Sequence, residues 1–172
     1  MTESAKQTPV AAFTFTEMID ADAAECARWL AYFQKNPELL DLATPIAGAD
    51  SLRGLLLHIH GVQLRYAEWL LDLPKTDALQ LPHQTPDELF AIGDRARELL
   101  RKFVAFATEE ELAHVIEFHR GDFHLRCSKR KAFIHGTLMH SDRHWAQVAS
   151  SVREAGHPTD WIHDFVFSPA ME

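Results

Sequence analysis

Read as a pattern of apolar and polar positions, the chain falls into four long segments with a helical period, separated by stretches rich in Pro and Gly. Thr14-Phe15-Thr16-Glu17 offers a capping box, and the stripe Phe15, Ile19, Ala23, Cys26, Leu30 and Phe33 then recurs at steps of three and four. A first helix to about Gln34 follows, closed by Asn36-Pro37. Pro37–Ala49 contains Pro37, Pro45 and Gly48 and reads as a connection with one helical turn in Glu38–Leu42. Asp50 or Ser51 can cap a second helix running to about Asp72, before Pro74, with the stripe Leu55, His58, Val62, Tyr66, Trp69 and Leu73. His60 lies about 200° round from His58 on a helix, which turns it to solvent or to a neighbour's edge.

Pro74–Gln84 is a loop. Thr85-Pro86-Asp87-Glu88 combines a cap, Pro at the first helical position and acids in the first turn, and predicts a third helix ending near Ala107 with Leu89, Ile92, Ala96, Leu99 and Phe103 inward. Thr108-Glu109-Glu110-Glu111 can start a further turn. His114–His119 and Phe123–Cys127 then alternate around Arg120-Gly121-Asp122, as two strands of a hairpin would, with His114, His119 and His124 exposed or at the rim of a site. Ser128 caps a fourth helix to about Ala155, with Gly156 beyond its end. The tail His157–Glu172, with Trp161, Phe165 and Phe167, is too apolar to hang free and docks along the helices or a second subunit. The fold expected is all-α, a four-helix bundle in one domain over 1–172, with a small β-hairpin between the third and fourth helices.

On the fourth helix, Phe133, Thr137, His140, His144, Val148 and Val152 form the inward stripe, so two imidazoles stand where a core would want Leu. A buried His needs partners for both ring nitrogens. His-x-x-x-His puts both rings within reach of one ion, and His58, inward on the second helix, is the third ligand. Three neutral imidazoles leave coordination positions open, as catalytic and ligand-binding sites require; Zn, Ni or Fe would accept them. A polar core network of three histidines with water is the alternative.

Composition narrows the rest. At 172 residues, 47% hydrophobic and 24% charged, the chain is that of one soluble globular domain. A net charge of −8 argues against a nucleic-acid surface, and Lys129-Arg130-Lys131 reads as a surface patch at a helix start. Cys26 and Cys127 lack CxxC spacing and read as two small hydrophobes in a reducing, cytoplasmic setting. Met1–Val10 lacks the basic and apolar regions of a signal peptide, and no window reaches a membrane span.

The order of elements, Leu56-Leu57-His58-Ile59 on the second helix and His140-Ser141-Asp142-Arg143-His144 on the fourth resemble the DinB/YfiT-like proteins, a superfamily of metal-binding four-helix bundles. The resemblance spans about Phe15 to Asp164. Where that family commonly has Arg-Gly-Gln after the second fourth-helix His, this chain has Trp145-Ala146-Gln147. The resemblance implies a divalent metal on His58, His140 and His144, with water filling its shell, and a homodimer. It also implies an enzyme that couples a low-molecular-weight thiol to an electrophilic small-molecule substrate. Two other classes stand beside it: a hydrolase using metal-activated water, and a metal- or ligand-binding stress protein without turnover. Trp145, Arg143 and Tyr66 are candidates for the mouth of the site, against a plainer reading as packing or solvated charge.

Overall fold

The computed structural model describes residues 14–46, 48–120 and 123–171. Residues 1–13, 47, 121–122 and 172, and the side chains of His119, Arg120, Phe123, Phe165 and Met171, lie outside that description. The chain is mostly helical, with two small antiparallel strand pairs. In order, it forms α1 (Phe15–Lys35), β1 (Ala43–Ile46), β2 (Ala49–Ser51), α2 (Leu52–Leu70) and α3 (Pro86–Phe106). Then follow α4 (Glu109–Ala113), β3 (Val115–Arg120), β4 (Phe123–Ser128), α5 (Lys129–Ile134), a π turn over His135–Met139, and α6 (His140–Glu154). No helix among the described residues is long and apolar enough to cross a membrane.

Local chemistry sets the helix starts. Glu17 N–H donates to Thr14 Oγ1 at 3.2 Å while Thr14 N–H donates to Glu17 Oε2 at 2.6 Å, closing the expected capping box. Thr85 and Glu88 repeat it ahead of α3 at 3.3 and 3.0 Å, with Pro86 at the first position. Ser51 caps α2 and Ser128 caps α5. The hairpin between α4 and α5 runs from Val115 opposite Ser128 to Arg120 opposite Phe123.

Four departures from the sequence reading bear on the site. Within the stretch read as connection and helix cap, Ala43–Ile46 and Ala49–Ser51 form the strand pair β1–β2, whose register is irregular between Ala43–Ser51 and Ile46–Ala49. The fourth helix is broken by the π turn into α5 and α6. Helix α2 is buried on nearly every side, because α3 packs along one flank and α5 and α6 along another. Its stripe Leu55–Leu73 is accordingly not the most buried one: His58, Val62 and Trp69 are half-buried and Leu73 is exposed, since this side faces open space. Lys129, read as surface, is buried with all three ammonium protons satisfied by Leu70 O (2.9 Å), Asp72 Oδ2 (3.0 Å) and Glu111 Oε1 (2.6 Å). Burial alone would pull its pKa down, but Glu111 and Asp72 carry it above the ordinary value.

Polar residues also cross the core. Arg97 of α3 donates to Asp22 Oδ2 of α1 at 2.9 Å, with both side chains nearly inaccessible. Gln63 of α2 donates to the same oxygen at 2.8 Å and reaches Thr137 O in the π turn at 3.5 Å. The C-terminal segment docks along α1: Trp161 and His163 meet the ring of Trp29 at 5.1 Å, and Tyr32 Oη donates to His157 O at 2.5 Å. Cys26 is buried and Cys127 half-buried, both free thiols.

Candidate metal centre

Every residue of the expected fourth-helix stripe, Phe133, Thr137, His140, His144, Val148 and Val152, is buried. His140 and His144, one turn apart on α6, face His58 of α2. The ring centroids of His58 lie 4.9 Å from both, and those of His140 and His144 are 4.5 Å apart. One nitrogen from each ring falls within 4.8 Å of the others, and Nε2 of His140 lies 3.1 Å from Nε2 of His58. Nitrogens bound at 2.0–2.1 Å to a tetrahedral ion would stand roughly 3.4 Å apart. The His58–His140 pair stands at that scale and the nitrogen of His144 lies within 4.8 Å of both, and no other cluster of this kind occurs among the described residues.

Hydrogen bonding behind the rings decides whether their lone pairs are free. His144 Nδ1–H donates to Gln147 Oε1 at 2.6 Å, one turn along α6, which fixes the tautomer and leaves Nε2 as a bare acceptor. That Nε2 is buried with no partner among the described residues. An orphaned imidazole lone pair beside two further imidazoles fits a divalent cation. Burial, with His144, His58, His135 and Arg143 adding like charge, pushes His140 down to about 3; burial also lowers His144 against the opposing pull of Gln147. Both rings are therefore neutral at pH 7, the state in which imidazole ligates. Because Gln147 holds the acceptor geometry, Gln147→Leu is expected to weaken metal binding about 10- to 100-fold with the fold intact. Competition against a chromophoric chelator measures this; an unchanged affinity would mean that the His144 tautomer is set elsewhere.

Of the two placements expected for His60, solvent or a neighbour's edge, the structure takes the second: the ring is fully buried against α3, 4.8 Å from Phe90 and 5.8 Å from Trp145. A Cβ on Gly93 would come within 2.5 Å of its Nδ1, so glycine is what lets α3 close over it. Burial first, then Arg97, pushes its pKa down to about 3, and the ring takes no part in the triad.

Over the triad lies a cavity of about 160 Å³ between α2, the π turn and β3, walled by Tyr66, Trp69, Phe118 and His135 and bounded by His58 and His140. Tyr66 thus lines the site as one reading had it. Trp145 instead stacks on Trp29 at 5.6 Å in the core, and Arg143 is exposed. His114 and His124 are exposed on the hairpin, away from the triad.

His135 was not singled out in the sequence, and the π turn explains why. Five residues of α-helix would set His135 and His140 about 140° apart; the wider turn brings them to one side, with centroids 5.8 Å apart. Gly136 permits this placement, because a Cβ there would meet Tyr66 Cβ at 2.5 Å. Arg65 and Phe118 were likewise missed. Arg65 lies one turn past Val62, and a charged residue three positions from an apolar one carries no sign of which hollow it lines.

Compared with protein-family models the chain matches none, and no curated protein matches it in sequence.

Proposed function

We propose that this chain is a DinB/YfiT-like four-helix bundle that holds a divalent metal on His58, His140 and His144 and transfers a low-molecular-weight thiol to an electrophile. The orphaned Nε2 of His144, held by Gln147 beside two converging imidazoles, carries the metal part of this reading. The chemistry such an ion supplies is Lewis acidity at an open position, which draws the proton from a thiol at neutral pH.

The chain's own groups do the rest. His140 and His144 stay neutral, and Gln147 holds His144 by Nδ1 so that its Nε2 lone pair is left for the ion. The apolar rings of Tyr66, Trp69 and Phe118 beside the triad favour a soft, weakly hydrated thiolate over hydroxide as the nucleophile. Among the described residues no carboxylate lines that cavity, so a hydrolase would have to use the neutral His135 on its wall as general base. Pairing into a homodimer and a cytoplasmic setting belong to the same proposal.

Metal-loaded protein mixed with cysteine, bacillithiol or mycothiol and monochlorobimane should form the thioether above the uncatalysed rate, with loss on chelation and recovery on adding metal. No rate with any of these thiols would remove the transferase. Metal-dependent ester or amide cleavage at pH 7–9 would put the hydrolase in its place, and tight metal binding with neither activity would leave a binding protein.

A further inference from the structure

We infer that the cavity beside the triad receives a small aromatic carboxylate, its ring held among Tyr66, Trp69 and Phe118 and its carboxylate paired with Arg65. The inference deepens the proposed function, on which it rests for the ligand's role, but the residues that would bind the ligand need no metal.

The walls are aromatic on three sides. Tyr66 meets Trp69 edge to face at 5.2 Å and 81°, and meets Phe118 at 6.4 Å and 77°, while Trp69 and Phe118 lie 4.0 Å apart. Such a box offers ring edges and faces together, the arrangement in which another ring packs best. Its volume of about 160 Å³ suits one six-membered ring, since an apolar cavity near 150 Å³ takes up benzene in an engineered protein.

The charge is positive. Arg65 is half-buried, lines this cavity, and also lines the hollow of about 190 Å³ on the other side of the His58–Val62–Arg65 ridge. Among the described residues it forms no ion pair or hydrogen bond, although the chain has a net charge of −8 and acids are plentiful. Its neighbours on α3 behave otherwise: Arg95 pairs with Glu68, Arg97 with Asp22 and Arg101 with Asp20. Asp77, which lines the second hollow with Arg65, instead accepts Leu79 N–H at 3.1 Å. Lys75 Nζ adds a second cation 4.7 Å over the Trp69 ring. A planar guanidinium with all its donors unused, beside an aromatic box without carboxylates, is matched by a carboxylate on a ring, which it can hold in bidentate fashion.

Calorimetric or saturation-transfer NMR titration with benzoate, benzyl alcohol and acetate tests this, on metal-free and metal-loaded protein whose metal content is measured in the same samples. Benzoate should bind at least about tenfold more tightly than either control. Arg65→Gln should weaken benzoate by about tenfold, the size of a lost charge-assisted contact, and leave benzyl alcohol within about twofold. Phe118→Ala, on the surface hairpin, should weaken both aromatic probes and leave acetate unchanged. Equal binding of all three probes, or benzoate binding indifferent to Arg65→Gln, overturns the inference. If metal binds while benzoate shows no preference, only this inference falls. If benzoate is preferred and metal does not bind, the aromatic-anion site stands and the thiol-transfer reading falls.

Discussion

Replacing His140 by Ala is expected to weaken divalent metal binding by more than about a hundredfold while leaving the helical content unchanged. Groups that only orient a ligand are worth about 10- to 100-fold, and a ligand itself is worth more. His140 occupies the middle of the triad, 3.1 Å from Nε2 of His58 and one turn from His144, so its loss leaves two nitrogens where there were three. Alanine is a good helix former, and α6 keeps its buried Val148 and Val152. His58→Ala should behave alike. His60→Ala serves as the control: it removes a more deeply buried imidazole from the helix that carries His58, yet one that faces α3, and metal content should hold. Elemental analysis after dialysis reads all three. Retention of metal by His58→Ala together with loss in His60→Ala would mean that α2 presents the other histidine to the ion.

Arg97→Met is expected to cost about 3–5 kcal/mol of stability, the largest effect of a substitution outside the triad. Arg97 and Asp22 are each only 4% exposed, so the variant strands a carboxylate in the core with Gln63 as its chief remaining donor. Desolvation makes the lone charge expensive; the pair itself contributes little beyond a well-packed apolar replacement. Asp22→Leu combined with Arg97→Met should therefore recover much of the loss. Urea unfolding of the single and double variants measures both. A single variant within about 1 kcal/mol of the parent, or a double variant no better than the single, would contradict the account of this network.

What could be read in the sequence was what local chemistry or one clean stripe determines. Thr14 and Thr85 with their Glu partners gave both capping boxes, because a cap needs only residues three apart. His140 and His144 were placed correctly because α6 has one buried face and a polar remainder. Helix α2 defeated the same reasoning: enclosed by neighbours on several flanks, it buries His60, Gln63 and Glu68 as fully as its leucines. His58 was chosen on the argument that its stripe faces the core, and it meets the fourth-helix pair although that stripe is the more open one. The burial of Asp22 and Arg97 left no sign in the sequence, because each is costly to bury unless paired, and the pairing is tertiary. The π turn left no trace in a period of 3.6, so His135 stayed hidden behind Gly136. The β1–β2 pair is too short and irregular for alternation to show.

The convergence of three imidazoles on one ion is tested most directly by X-ray absorption at the metal edge of loaded, wild-type protein, with one ion per chain established beforehand. The account predicts a first shell containing three imidazole nitrogens, at about 2.0–2.1 Å if the ion is zinc. A shell of oxygen alone, or one with fewer than two imidazoles, would contradict it.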